Sequence, residues 1–319
     1  MPPEPPDLLV DPPATEWAAT LLRRDHPRLR AFRRQLGLPA DRPIVMTGHQ
    51  PALWHCGVLA KFLAADAAAR ALGAAPATLL VDQDVGDPAA VRRPERGPDG
   101  RWTRREESLL DGGPEGVDVP FAAQAPRPPR RPLPPGFPAD VAEALAETAS
   151  GASAGRQVFA AALRLAEARV GPLGLAHDPD LSASELQGTD LFAELVRRMR
   201  ADPHACVAAY NEAVRSRPEA GMRPLVCRAS GRCELPLWRL RPGQARAAVY
   251  AHELDAIPAR ELAPRALLMT GLVRLAACDL FIHGTGGGDY DPVSESWFRA
   301  WAPDLVAELG FAPMTVVSA

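Results

Sequence analysis

The chain is expected to adopt an α/β fold in three layers, with a mainly parallel sheet, an antiparallel strand addition and a helical segment. Three observations predict it. Two apolar runs of strand length, PIVM (43–46) and TLLV (78–81), flank an alanine-rich helical stretch, which together form a βαβ unit. A later apolar run, DLFI (279–282), leads through glycines into another helical pattern. The 319 residues are 47% hydrophobic and 24% charged, enough to bury one large core over residues 1–319.

The elements follow in order. Residues 1–15 are proline-rich and expected to wrap over the surface or fray. Residues 15–36 form an amphipathic helix broken near Pro27. Residues 42–48 are a buried strand, 57–72 a helix stopped by Gly73, and 77–84 a strand ending in acids. Residues 86–138, with runs such as APRPPRRPLPPGFP, read as an extended and mobile surface insertion. Residues 139–216 are helical throughout. Strands at 223–229, 233–240 and 245–251, joined by SGR and RPGQ turns, suggest an antiparallel meander. A helix (264–277), a buried strand (278–284) and a closing helix (291–309) complete the pattern.

Composition narrows function by exclusion. The net charge of −3 offers no basic field for nucleic acid. No apolar run approaches the roughly 18 residues of a membrane span, and the N-terminus lacks the basic and apolar regions of a secretory signal, so a cytoplasmic protein is expected. The five cysteines are odd in number and irregularly spaced, which reads as a reduced protein. Cys227 and Cys233 flank the SG turn and could face each other, but neither a disulfide nor a shared metal is the expected state. All of the 36 basic residues but one are arginine; the exception is Lys61, in the stretch TGHQPALWHCGVLAKF. A small-molecule substrate is the expected partner. The sequence leaves the oligomeric state open, a homodimer among the outcomes.

That stretch carries chemistry. Gly48 lets the chain turn sharply after the strand, and Gly57 lies near a helix N-terminus, where free N–H groups and the helix dipole favour anions. Thr47, Gln50, His49 and His55 stand on the same turn, and Lys61 one helical turn in can lean back toward it. Asp82 and Asp84 close the next strand, where acids can hold a ribose hydroxyl or magnesium. In FIHGTGGGDYDP a buried strand delivers His283, and Gly284, Gly286 and Gly287 let a ligand approach the backbone. Asp289 follows, and Asp291 suits an N-cap before Pro292. Glu234 and Trp238 share a strand face, where a tryptophan is more often core than ligand platform. Arg265, at a helix start, can clamp a carboxylate or phosphate. A cluster of His49, His55 and His283 with an aspartate would instead suit metal-assisted hydrolysis. Neither His-Glu-x-x-His nor Cys-x-x-Cys is present, and no metal site is expected. There is no Gly-x-Ser-x-Gly elbow.

The spacing from Gly48 to Gly57 resembles the ATP-phosphate turn of nucleotidylyltransferases and class I synthetases, with Val58 where their second histidine stands. TGHQPALWHCG, LLVDQD and PRALL followed by CDLFIHGTGGGDYDP together resemble three blocks of the bacillithiol-biosynthesis cysteine-adding enzymes (BshC, cysteine ligases), in the same order and with similar spacing. The resemblance implies a Rossmann-like core without that family's coiled coil. It implies a ligase joining a cysteine-like amine to a carboxylate, with ATP and Mg²⁺ as the cofactors to expect. From their own chemistry at this cleft rather than from the resemblance, His49, His55, Lys61 and His283 would be catalytic, with His55 and Lys61 steadying phosphate charge and His283 acting as acid/base. Thr47, Gly48, Gln50, Gly57, Asp82, Asp84, Arg265, Gly284, Gly286, Gly287 and Asp289 would bind ligand. A non-catalytic nucleotide- or sugar-binding protein is the rival reading.

Overall fold

Strands β1 to β11 and helices α1 to α10 are numbered in chain order. The computed structural model describes residues 8–21, 24–112, 118–176, 178–228 and 232–319. Its centre is the βαβ unit. Strand β2 (Ile44–His49), helix α3 (Cys56–Leu72) and strand β3 (Ala75–Leu80) follow one another, and β2 pairs with β3 in parallel. Gly73, in the left-handed region at φ 63°, ends α3 as a C-cap. On β2, Ile44 and Met46 face one core while Val45 faces another, so both sheet faces are covered by helices.

The main sheet has six strands in the order β1-β11-β10-β2-β3-β6. Strand β10 (Leu280–His283) pairs in parallel with both β2 and β11 (Met314–Ser318). The short β6 (Leu181–Ser182) extends the sheet in parallel beside β3. Strand β1 (Leu9–Asp11) closes the other edge, antiparallel to β11. The proline-rich start, as far as described, therefore joins the sheet; residues 1–7 of that expectation lie outside the described residues. The strands β6 and β11 carry too short an apolar signal to stand out in sequence, and β6 interrupts the segment read as wholly helical.

The first helical segment is split into α1 (Trp17–Thr20) and α2 (Pro27–Gln35), with Pro27 at the first position of α2 and His26 capping it. Helices α4 (Ala139–Glu147), α5 (Ala154–Val170), α6 (Asp190–Ala201) and α7 (Pro203–Arg215) fall within the helical stretch. The insertion carries two strands that its composition did not signal. Strands β4 (Ala90–Arg96) and β5 (Trp102–Ser108) form an antiparallel ribbon bearing the cross-strand pairs Arg92–Glu106 and Arg93–Glu107. The ribbon's base, Leu109 and Leu110, packs on Val141, Leu145 and Val158 of α4 and α5. Residues 113–117 of this insertion lie outside the described residues.

The second sheet corrects the predicted meander. Strand β7 (Glu234–Arg239) is central, flanked antiparallel by β8 (Ala247–Tyr250) and β9 (Leu262–Pro264). Residues 223–228 form no strand of this sheet, only an isolated bridge between Cys227 and Cys233, and residues 229–231 of the predicted hairpin lie outside the described residues. These two are joined as a disulfide, against the expected reduced state; the bridge sets them side by side. Helix α8 (Ala266–Leu272) runs into a π-helical turn, Val273–Ala277.

The largest correction is at α9 (Thr285–Trp301), which begins six residues before the predicted closing helix and is followed by α10 (Pro303–Leu309). The glycines form its first turns because α9 sits directly on β10 and β11: a Cβ on Gly287 would stand 2.2 Å from His283 Nδ1, and one on Gly288 2.6 Å from Val316 Cγ2. Asp291 is thus no N-cap. It is fully buried inside the helix, where its carboxylate meets Arg274 and His283 at 2.8 Å each.

Candidate functional site

The chain leaves β2 toward β3 on one side and β10 toward β11 on the other, so the strand order reverses between β2 and β10. Helix α3 packs on the face of Val45 and Ile282, and α9 on the face of Ile44, Met46 and Phe281. A crevice opens at the carboxyl ends of two parallel strands whose following helices diverge in this way. Here it is a cleft of about 680 Å³.

Of the predicted residues, Gly48, His49, Gln50, His55, Gly57, Lys61, Asp84, Arg265, His283, Gly284, Gly286 and Gly287 line this cleft. Thr47, Asp82 and Asp289 do not. Thr47 is buried within the sheet, its Oγ1 donating to the Ile282 carbonyl at 2.8 Å. Asp82 turns into the interior and accepts from the Ser184 amide at 2.9 Å and from the Ser184 hydroxyl. Burial pushes its carboxyl up to about 6. Asp289 is exposed on α9.

Lys61 departs furthest from ordinary behaviour. It is 5% exposed and donates to the Gly48 carbonyl. Burial lowers its ammonium to about 7. No ion pair involving it occurs among the described residues, so the cleft holds an amine at the edge of charging without a counter-ion.

The histidines divide the work. His55 caps α3: its Nδ1 accepts from the Gly57 amide at 3.1 Å, which leaves Nε2–H directed away from the helix. His49 Nδ1 donates to the Gln50 carbonyl at 2.9 Å, so its Nε2 remains an unprotonated acceptor. Burial, reinforced by Lys61, lowers His49 to about 4. His283 is buried, with Nε2–H donated to Asp291 and Nδ1 packed under Gly287. Burial lowers its pKa, so it is a neutral ring supporting the α9 N-terminus. The three do not gather into a metal-binding group: among the described residues only His204, Cys227 and Cys233 do.

Opposite the turns, β7 and β8 form a basic wall. Trp238, expected in the core, is half-buried with the guanidinium groups of Arg265 and Arg246 over its ring at 3.9 and 4.3 Å. Arg265 also donates to Glu234 at 2.7 Å. Arg246 donates to Asp84 at 3.0 Å, and Asp84 accepts from Gln50 at 3.1 Å. Tyr290 and Arg223 complete the lining. Arg246, Arg223 and Tyr290 escaped the sequence reading. The arginines are unmarked among their many fellows, and Tyr290 sat in what read as a loop.

Among the described residues, no helix is long and apolar enough to cross a membrane. No protein-family model, curated protein or solved structure matches the chain.

Proposed function

We propose that the cleft belongs to an enzyme that binds a phosphate-bearing small molecule, a nucleotide such as ATP, and uses it to join a cysteine-like amine to a carboxylate. In this reading the chain is a short, Rossmann-like relative of the bacillithiol cysteine-adding enzymes. One observation carries it: a buried lysine without a counter-ion stands beside the N-termini of two helices that meet at the reversal point of a parallel sheet. The first turn of α9 presents N–H groups without a partner among the described residues, whereas at α3 the Gly57 N–H is taken by His55. An anion there supplies the missing negative charge and raises Lys61 back to the ammonium form.

Lys61, the Gly57 turn and the Gly286–Gly287 turn would hold the phosphates, and Arg265 and Arg246 the carboxylate. His49 Nε2, unprotonated at neutral pH, would accept a hydrogen bond from the attacking amine and orient it. His283 keeps α9 in place rather than shuttling protons. Magnesium fits the aspartates poorly. Asp82 is committed to Ser184, and both oxygens of Asp84 are engaged by Arg246 and Gln50. No step of the proposed reaction runs through a metal.

The test is calorimetric titration of ATP, ADP and inorganic phosphate at pH 8, in two buffers of different ionisation heat. Binding should take up a proton, because Lys61 is largely neutral at that pH and charges on the anion. Affinity should weaken as pH rises above about 7. Binding without proton uptake, or none of the three bound, would defeat the anion site. ATP turnover dependent on cysteine and a carboxylic acid then tests the ligase reading separately.

A further inference from the structure

We propose that His204, Cys227 and Cys233 form a binding site for a divalent cation of the zinc class, distinct from the cleft. None of the three lines the cleft. Their ligand atoms lie within 4.8 Å of one another. They come from separate elements: His204 from the first turn of α7, Cys227 and Cys233 from the two sides of the bridge leading into β7.

In the structure the two sulfurs are joined as a disulfide; the cation site belongs to the reduced pair, and the placement of the three residues argues for it. The backbone bonds Arg228 N–H to Arg232 O and Glu234 N–H to Val226 O bracket the two cysteines. They are therefore a non-hydrogen-bonded antiparallel pair, whose side chains stand close together on one face. His204 Nδ1 lies 3.5 Å from each sulfur. A disulfide sulfur is a poor hydrogen-bond partner and gives the ring no reason for that symmetric position. A tetrahedral zinc does. With Zn–S near 2.3 Å and Zn–N near 2.1 Å, the sulfur-to-nitrogen edge of the tetrahedron is about 3.6 Å. A thiol or phosphine reductant supplies the two electrons and two protons that turn the disulfide into two thiols, and rotation about the side-chain bonds then opens the sulfurs to the roughly 3.8 Å sulfur-to-sulfur edge of the same tetrahedron. The two thiol protons are released on binding, so affinity rises with pH. Cys233 is buried while Cys227 and His204 are exposed, which leaves the fourth position to water.

The site would clip the start of α7 to the start of β7. The residue after Cys233 is Glu234, which binds Arg223 at 3.0 Å and Arg265 at 2.7 Å, and both arginines line the cleft. The metal would thus brace one wall of the cleft from outside.

The experiment uses the full chain purified in a phosphine reductant. Titration with Co²⁺ should give one equivalent with thiolate-to-cobalt charge transfer and the intense visible bands of a tetrahedral site, displaced by Zn²⁺. His204→Ala and Cys227→Ser should each weaken zinc by at least the roughly 10–100-fold that loss of a mere outer partner costs. Both residues are exposed, and unchanged circular dichroism verifies folding. If Cys227→Ser fails to fold, His204→Ala decides alone. Reduced protein that takes up no Co²⁺, uptake unaltered in the folded variants, or a cysteine pair still oxidised by intact mass in the presence of reductant would overturn the proposal.

Discussion

At the scale of single residues, Lys61 and Asp291 show two fates of a buried charge. Lys61 has no charged partner among the described residues, and its folded pKa of about 7 lies below the ordinary lysine value of 10.5. Between these values the unfolded chain binds more protons, so stability should rise with pH across that window. The burial cost is full below about pH 7 and gone above about 10.5. Lys61→Met keeps the length, drops the charge and should remove this slope. We expect it to be more stable than the parent in urea at pH 6.5, with the gap narrowing at pH 9.5, while phosphate and nucleotide binding fall at least about tenfold. A variant that is less stable at pH 6.5 would show that the lysine stabilises the fold instead. Asp291, by contrast, is held between Arg274 and His283. Asp291→Ala leaves Arg274 buried beside its remaining partner Glu295 and should cost about 3–5 kcal/mol in urea unfolding. A loss under about 1 kcal/mol would mean the site relaxes around the missing carboxylate.

At the scale of elements, the N-terminus of α9 separates structural glycine from binding glycine. Gly287 has the His283 ring where a Cβ would go, whereas Gly284 and Gly286 have nothing within 4 Å. Gly287→Ala should therefore destabilise by about 1–3 kcal/mol and disturb His283. Gly286→Ala should fold as well as the parent or better, since alanine favours helix by up to about 1 kcal/mol. It should nevertheless weaken phosphate binding, because its methyl stands where the anion approaches the backbone. Thermal melts and phosphate titration of the two variants check this, and equal melting temperatures would contradict the packing argument. The same helix shows how a local rule yields. Pro292 after an aspartate reads as a helix start, yet it lies inside α9. One missing backbone bond is outweighed by burying Val293, Trp297 and Phe298 in the main core.

At the scale of the whole molecule, stability should be graded. Strands β2, β10 and β3 lie inside the main sheet between two cores, while the β4–β5 ribbon is mostly exposed and cross-linked by surface ion pairs. Amide exchange should be slowest over 44–49 and 280–283 and faster over 92–106. Equal protection of the ribbon and the sheet would show that the ribbon is buried by something further, such as another copy of the chain. The amino-acid sequence by itself determined the βαβ unit, the β10 strand, the α/β class and the two turns on which Lys61, His49, His55 and His283 stand. These rest on periodicity and on glycine placement, which act over a few residues. Only the tertiary structure decided the rest. It paired β6 with β3 and β11 with β10, strands whose runs are too short to signal alone. It ended β3 at Leu80, short of both acids, and turned Asp82 inward to Ser184 and Asp84 outward to the cleft. It drew the glycine turn into α9, because packing against β10 and β11 outweighs local turn preference. It brought Arg246 and Arg265 onto Trp238, and His204 onto Cys227 and Cys233, from distant stretches whose side chains carry no mark of the neighbours they will meet.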